Sequence, residues 1–358
     1  MKKILIVDDS LIYRHALTSA LSDESSFTVS ASVKNGQEAL SFILNNPLDL
    51  IVVDIEMPVM NGFQLIEKLA PLPTKPKIIV FTSLDNTGAE NALKALKMGA
   101  DDFVTKVTGE GDVVKSIADI KASLIPKIKS LLKINSTIQS TTSNTNKDSA
   151  VDNAAVNLLP NKLKKLKSYF DYIILGASTG GPEALRFIFS NFKGTKMPPI
   201  FVVQHMPAMY TSYLAQTLGE STSYKVVEAK NGDIVKSGFC YIAPGDYHMT
   251  INSDNPTEIK IGLNKDPQEC YVRPAVNCLF RSAKKIKSKS LFVVLTGMGS
   301  DGLQGIQSLS ADSSDLNVLI QDEKSSIVWG MPGEIYQKKL YSEIQSLKDI
   351  KETLLNLI

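Results

Sequence analysis

Cysteine, histidine and tryptophan are scarce in this sequence, and long apolar runs are missing. The 358 residues include three cysteines (Cys240, Cys270 and Cys278), three histidines and one tryptophan. An odd number of cysteines with no Cys-x-x-Cys spacing argues against a disulfide framework or a zinc site and points to buried thiols. No apolar stretch approaches the roughly 20 residues that cross a bilayer. Met1-Lys2-Lys3 is followed by only four apolar residues before Asp8-Asp9, too few for a signal peptide. A cytoplasmic chain with no membrane insertion is expected. The charge lacks a strong sign as well: 39 basic against 37 acidic residues leave +2, which gives no reason to expect nucleic acid as a partner. The short basic run Lys162–Lys167 reads as a solvated face.

What is present suits two or three globular domains, with 43% hydrophobic and 21% charged residues. Four apolar runs in the first third each end in a polar residue of a particular kind. Ile4–Val7 ends in Asp8-Asp9, Leu50–Val53 in Asp54, Ile78–Phe81 in Thr82, and Phe103-Val104-Thr105 in Lys106. Helical stretches separate them, so they read as strands of a parallel α/β sheet whose working groups gather beyond the strands' carboxyl ends. Three carboxylates in one small space repel one another. An oxygen-ligated Mg²⁺ would relieve that repulsion and leave one carboxylate free to attack a phosphoryl group. From Asp112 the apolar positions Val113, Ile117, Ile120 and Leu124 mark a closing helix, which Pro126 is expected to kink or end. Residues 135–157 turn to serine, threonine, asparagine and alanine, the composition of a flexible linker with a random-coil reach of about 26 Å.

Beyond that linker, Tyr172–Leu175 is an apolar strand running into Gly176-Ala-Ser178-Thr-Gly180, a Gly-x-Ser-x-Gly turn before a helical stretch. Such a turn presents a serine hydroxyl beside the N–H groups of a new helix, where an oxyanion would be stabilised. A helix cap or a phosphate cradle would use the same small residues, although a dinucleotide site would want Gly-x-Gly-x-x-Gly and an acidic residue after the next strand. That strand, Ile200–Gln204, ends instead at His205, a candidate base. His15 reads as a surface or packing residue, and His248 as a residue that orders a loop or borders the substrate. A further strand, Leu291–Thr296, leads into Gly297-Met-Gly-Ser-Asp301-Gly302. Asp301 is the candidate to orient His205, with helix capping as the alternative.

The first 124 residues resemble the receiver domains of bacterial response regulators. The resemblance implies a doubly wound (βα)5 fold with Asp54 as phosphoacceptor and Asp8, Asp9, Asp54 and the backbone carbonyl of Glu56 around Mg²⁺. It further implies that Thr82 and Lys106 contact the phosphoryl group and that Phe103 is the switch aromatic. Val107 stands where that family usually has proline. Residues 169–358 resemble the catalytic domain of the chemotaxis protein-glutamate methylesterases, the CheB family. The matching segments are the Ser178 turn, Gln204-His205-Met-Pro207, Tyr241–Met249, Gly297–Gly302 and Gln321–Pro332; Arg273–Phe280 matches too, with Asn277 where aspartate is usual. Residues 125–168 would be the helix end and linker.

This resemblance implies an α/β/α domain with a mostly parallel sheet, and hydrolysis of γ-glutamyl methyl esters on chemoreceptors, with deamidation of receptor glutamines. The implied roles are Ser178 as nucleophile, His205 as base and Asp301 as orienter, with Thr179 and Met298 near the oxyanion. A chemotaxis histidine kinase would be the phosphodonor, and the ester chemistry would need no cofactor. Two rival readings are a response regulator that binds DNA, which would need a helix-turn-helix and a basic surface, and a catalytically degenerate scaffold that binds receptors.

Overall fold

The computed structural model describes residues 1–106, 113–134, 169–192, 197–255, 258–286, 289–312 and 315–357. Val107, the 135–157 linker and the Lys162–Lys167 run lie outside these residues.

The N-terminal unit is a five-stranded parallel sheet in the order β2-β1-β3-β4-β5. Its strands are β1 (Lys2–Val7), β2 (Phe27–Val33), β3 (Leu50–Asp54), β4 (Lys77–Thr82) and β5 (Asp102–Thr105). The helices α1 (Leu11–Leu21), α2 (Gly36–Asn45), α3 (Gly62–Leu69), α4 (Asn86–Lys97) and α5 (Val113–Leu131) alternate with the strands. Every residue of β3 is buried, as a central strand covered on both faces requires. Edge strand β2 was not foreseen. Its Phe-Thr-Val-Ser-Ala-Ser-Val sequence buries Phe27 and leaves the following residues partly or fully exposed, so it lacks the apolar run of its neighbours. Pro126 lies within α5, and the helix continues to Leu131 rather than ending there.

The second unit is built on a seven-stranded sheet, order β14-β13-β12-β6-β7-β9-β8, in which every pairing is parallel. Its strands are β6 (Tyr172–Ala177), β7 (Ile200–Gln204), β8 (Lys225–Glu228), β9 (Phe239–Ile242), β12 (Ser290–Val294), β13 (Asn317–Gln321) and β14 (Glu343–Gln345). An antiparallel hairpin, β10 (His248–Asn255) and β11 (Glu258–Asn264), stands apart from it. The helices are α6 (Gly181–Phe189), α7 (Tyr210–Gly219), α8 (Val276–Ser282), α9 (Leu303–Asp312), α10 (Met331–Gln337) and α11 (Leu347–Asn356). From β6 the chain first extends the sheet through β7 and β9, then returns to add β12 on the other side of β6. The carboxyl end of β6 is thus the point where winding reverses, the place where α/β sheets open a crevice. Ser178 follows it directly.

Candidate active site

The turn after β6 is held tightly. Ser178 N donates to Thr296 O at 3.0 Å, and Gly181 N donates to Ser178 O at 2.7 Å. Gly180 has φ 77°, a backbone region that disfavours residues with a Cβ. Gln204, the last residue of β7, donates Nε2 to both Ser178 O (3.0 Å) and His205 O (3.3 Å). Its Oε1 lies where a Cβ at 181 would go, so a side chain there would have to displace the Gln204 amide. The Thr296 hydroxyl donates to Thr179 O at 2.9 Å and accepts from Val328 N at 3.0 Å, which ties the loop after β12 to the serine turn.

His205 N donates to Ala177 O at 3.2 Å, which sets the imidazole's backbone beside Ser178. The ring's Nε2 lies 2.8 Å from Asp301 Oδ2. Asp301 is buried and also accepts from the N–H groups of Val276 (2.6 Å), Asn277 (2.9 Å) and Gly302 (2.9 Å). Burial works against its ionisation, but the hydrogen bond and charge of His205, together with the Asn277 and Val276 N–H groups, hold its carboxyl below the usual range. On the far side of the serine, a Cβ at Gly297 would lie 2.9 Å from Ser178 Cβ, so the Gly297-Met298 backbone passes close to the hydroxyl. Among the described residues Ser178 Oγ makes no hydrogen bond to His205, a contact that serine enzymes often close only around substrate.

The capping alternative for Asp301 meets a competitor. Asn277 Oδ1, reaching over from α8, accepts from Gly302 N (2.9 Å) and Gly305 N (2.8 Å) at the start of α9. The amide at 277 thus caps that helix, and Asp301 presents Oδ2 to both His205 Nε2 and Val276 N. The other two histidines are engaged elsewhere. His15 is exposed on α1, while buried His248 accepts from Ala275 N through Nδ1 (3.2 Å) and sits 3.0 Å from Pro267 O through Nε2. It orders two loops. Cys240 is buried, but Cys270 is exposed, against the expectation of buried thiols, because it lies at the tip of a tight turn.

In the N-terminal unit, carboxylate oxygens of Asp8, Asp9 and Asp54 lie within 4.8 Å of one another. Lys106 Nζ is 2.8 Å from Asp54 Oδ2 and 3.2 Å from Asp8 Oδ2, the latter off the direction of a hydrogen bond. Burial raises the Asp54 pKa to about 6, with Lys106 pulling the other way, and raises Asp8 too. A buried carboxylate oxygen without a hydrogen-bond partner, in an all-oxygen set, fits a hard divalent cation such as Mg²⁺. Thr82 is buried at the end of β4. The Glu56 side chain turns away to accept from Asn91 Nδ2 at 3.3 Å, leaving only its carbonyl for such a site.

The two units meet over the serine. Thr179 Oγ1 donates to Asp102 Oδ2 at 2.8 Å, with both residues buried. Phe103 stacks on Tyr210 with ring centroids 4.9 Å apart, and the Tyr210 hydroxyl donates to Ser83 O at 2.6 Å. Helix α4 packs against α6 and α7. Val328 joins the apolar cluster that holds Val104, Leu124 and Ile128, and Met298 packs against that cluster.

The model of the CheB methylesterase family matches residues 173–354. The chain belongs to that family. A response regulator receiver domain matches residues 4–118, so this CheB-family chain carries a receiver in front of its catalytic domain. It is 35% identical to the protein-glutamate methylesterase/protein-glutamine glutaminase 1 of Paramagnetospirillum magneticum, over 99% of this chain and 96% of that protein. With the enzyme of the same description from Rhodospirillum rubrum the identity is 37%, over 97% and 93%. Among solved structures, the CheB methylesterase catalytic domain of Thermotoga maritima superimposes with a TM-score of 0.50 at 35% identity, covering 53% of this chain and 99% of that one.

Several residues that build the site were not foreseen as functional. Gln204 was legible only as the neighbour of His205, and Asp102 only as the start of a strand. Tyr210 carried no sequence signal, since its role depends on contact with the other unit.

Proposed function

We propose that this CheB-family hydrolase cleaves γ-glutamyl methyl esters on chemoreceptors, and deamidates receptor glutamines, through Ser178, His205 and Asp301. The observation that carries the reading is the His205–Asp301 pair at 2.8 Å beside the serine turn. Because Nε2 faces the carboxylate, Nδ1 is the ring nitrogen left to take the Ser178 proton. The serine oxygen attacks the ester carbonyl while N–H groups of the turn near Thr179 and of the Met298 loop face the developing oxyanion. Methanol then leaves with the proton from His205, or ammonia leaves from a glutamine. Water, deprotonated by the same imidazole, attacks the acyl-enzyme and releases glutamate. Asp301 keeps the ring oriented and offsets its positive charge.

Regulation falls to the receiver. Asp54 would accept a phosphoryl group from a chemotaxis histidine kinase, with Lys106 and Thr82 contacting it. Asp8, Asp9, Asp54 and the Glu56 carbonyl would hold Mg²⁺, which offsets the crowded negative charge when bound. Asp102 sits on Thr179 and Phe103 on Tyr210, so the receiver covers the serine turn, and we assign this arrangement to the unphosphorylated chain. Phosphorylation would favour an arrangement without that cover.

The test is methanol release from methylated receptor membranes, with and without Mg²⁺ and a small phosphodonor. Release that rises with phosphodonor is expected, and Ser178→Ala should abolish it. No release under either condition would favour the scaffold reading.

A further inference from the structure

Eight residues other than glycine have positive φ in the described chain, and four of them stand on one rim of the catalytic unit. They are Met209 (φ 70°), Asp246 (φ 65°), Cys270 (φ 52°) and Tyr271 (φ 64°). Contacts join these loops into one border running from His205 to Asp301. The Pro207-Ala208 backbone packs where a side chain at Gly245 would go. Asp246 N donates to Arg273 O at 3.1 Å, and Arg273 also reaches the Asp246 carboxylate. Cys270 Sγ lies 3.7 Å from Asn277 Nδ2, and Asn277 N donates to Asp301.

The turn at 270–271 is the most unusual part. Glu269 N donates to Val272 O (3.2 Å) and Val272 N to Glu269 O (3.0 Å), closing a two-residue turn with φ positive at both central positions. Such turns favour asparagine and glycine; this one carries cysteine and tyrosine. Glu269 is clamped from below by Arg281. The strained turn holds Tyr271 out, 95% exposed, even while the receiver covers Thr179. Met209 and Tyr247, each 37% exposed, are further large side chains on these loops, and Lys265 lies over the Tyr247 ring. Backbone strain retained around a catalytic edge is a mark of function rather than of stability.

We infer that this rim, with Tyr271 as its projecting anchor, is the docking surface for the chemoreceptor substrate; the inference rests on the esterase reading above. A receptor segment that carries the ester among free carboxylates would offer aliphatic stems to Tyr271, Tyr247 and Met209. Its acidic groups would face Lys265 and Arg273, two cations that share one carboxylate, Asp246, and so keep a single excess positive charge. Tyrosine suits the task, since it supplies a large contact area at a low cost in side-chain freedom.

The experiment uses the full chain with Mg²⁺ and a small phosphodonor. Tyr271→Ala should raise KM for methylated receptor membranes about tenfold with kcat held, and Tyr271→Phe should restore most of it. Turnover of receptor relative to a small glutamyl methyl ester should fall by the same factor. An unchanged KM, or an equal loss on both substrates, would overturn the inference. Co-sedimentation with receptor membranes on a Ser178→Ala background separates the two readings. If the unmodified chain hydrolyses neither ester, the esterase reading fails, while Tyr271→Ala still shows whether the rim binds: weaker co-sedimentation supports it and unchanged co-sedimentation overturns it.

Discussion

The Thr179 hydroxyl, next in sequence to the candidate nucleophile, is hydrogen-bonded at 2.8 Å to Asp102, which belongs to the receiver sheet 77 residues earlier. A carboxylate there lies beside the serine turn, and it would repel an oxyanion formed at the turn's N–H groups as proposed above, since like charges repel strongly in a buried setting. Asp102 is fixed from behind, since its Oδ1 accepts from Lys127 Nζ and Phe103 N, each at 2.8 Å. The cover is therefore held by a charged group as well as by the Phe103–Tyr210 stack.

Replacing Asp102 by alanine should raise methanol release by the unphosphorylated chain. A hydrogen bond to a charged group contributes about 1.5–3 kcal/mol, so a rise of roughly tenfold or more is expected. Lys127→Ala leaves the carboxylate and Thr179 in place and should raise release less. Basal release that stays at the level of the unmodified chain in Asp102→Ala would remove this contact from the inhibitory arrangement.

Asp301→Asn keeps the shape of the side chain but loses its charge, and it no longer fixes Nε2–H of His205 toward a carboxylate. A loss of about 10⁴ in kcat is expected, as for other triads. The substitution also has a pH signature in stability. Asp301 is held below the ordinary carboxylate value of 3.8 in the folded chain, so its contribution is present above that value. It disappears as pH falls through the lower folded-state value. The stability gap between the two proteins in denaturant titrations should therefore be full at pH 7 and shrink in strong acid. A gap that widens in acid would contradict this electrostatic account.

Gly181→Ala should harm both fold and activity. A methyl group there overlaps Gln204 Oε1 and comes within 2.9 Å of Ala177 Cβ. Gln204 must then move, and its bonds to Ser178 O and His205 O link the candidate nucleophile to the candidate base. Overpacking of this kind costs about 1–3 kcal/mol, and even a small shift of the serine costs turnover steeply. A variant with an unchanged denaturation midpoint and full methanol release would show that Gln204 has room to relax.

The strand ends made much of this legible in advance. Asp54, Thr82, Lys106, Ser178 and His205 each follow an apolar run, and a parallel sheet brings such residues to one edge whatever the connecting helices do. What stayed hidden depends on contacts between distant segments. Asn277, which looked like a loop residue of uncertain use, caps α9 because α8 lies against that helix. The link from Asp102 to Thr179 exists only once two sheets are docked, and no periodicity encodes docking. Cys270 departed from expectation because burial was inferred from residue type, whereas a tight turn sets its exposure. Pro126 is accommodated inside α5, where the helical pattern of Ile120, Leu124 and Ile128 outlasts the local cost of one missing N–H.

Phosphorylation of Asp54 should depend on pH and on Mg²⁺ together. Burial raises the Asp54 carboxyl to about 6, against the pull of Lys106 and with help from the charge on Asp8. Its folded-state pKa exceeds the unfolded value, so the folded chain holds this proton more tightly. The associated stability is full below about 3.8 and is lost as pH rises through about 6. Only the ionised carboxylate attacks a phosphoryl group, so the rate with a small phosphodonor at low Mg²⁺ should fall as pH drops through about 6. A divalent cation beside Asp8, Asp9 and Asp54 favours the charged form, and saturating Mg²⁺ should move the inflection to lower pH. Asp9→Asn should weaken that shift, because it removes the exposed carboxylate and leaves the buried pair with Lys106 intact. An inflection that ignores Mg²⁺ in the unmodified chain would remove these three carboxylates as the cation site.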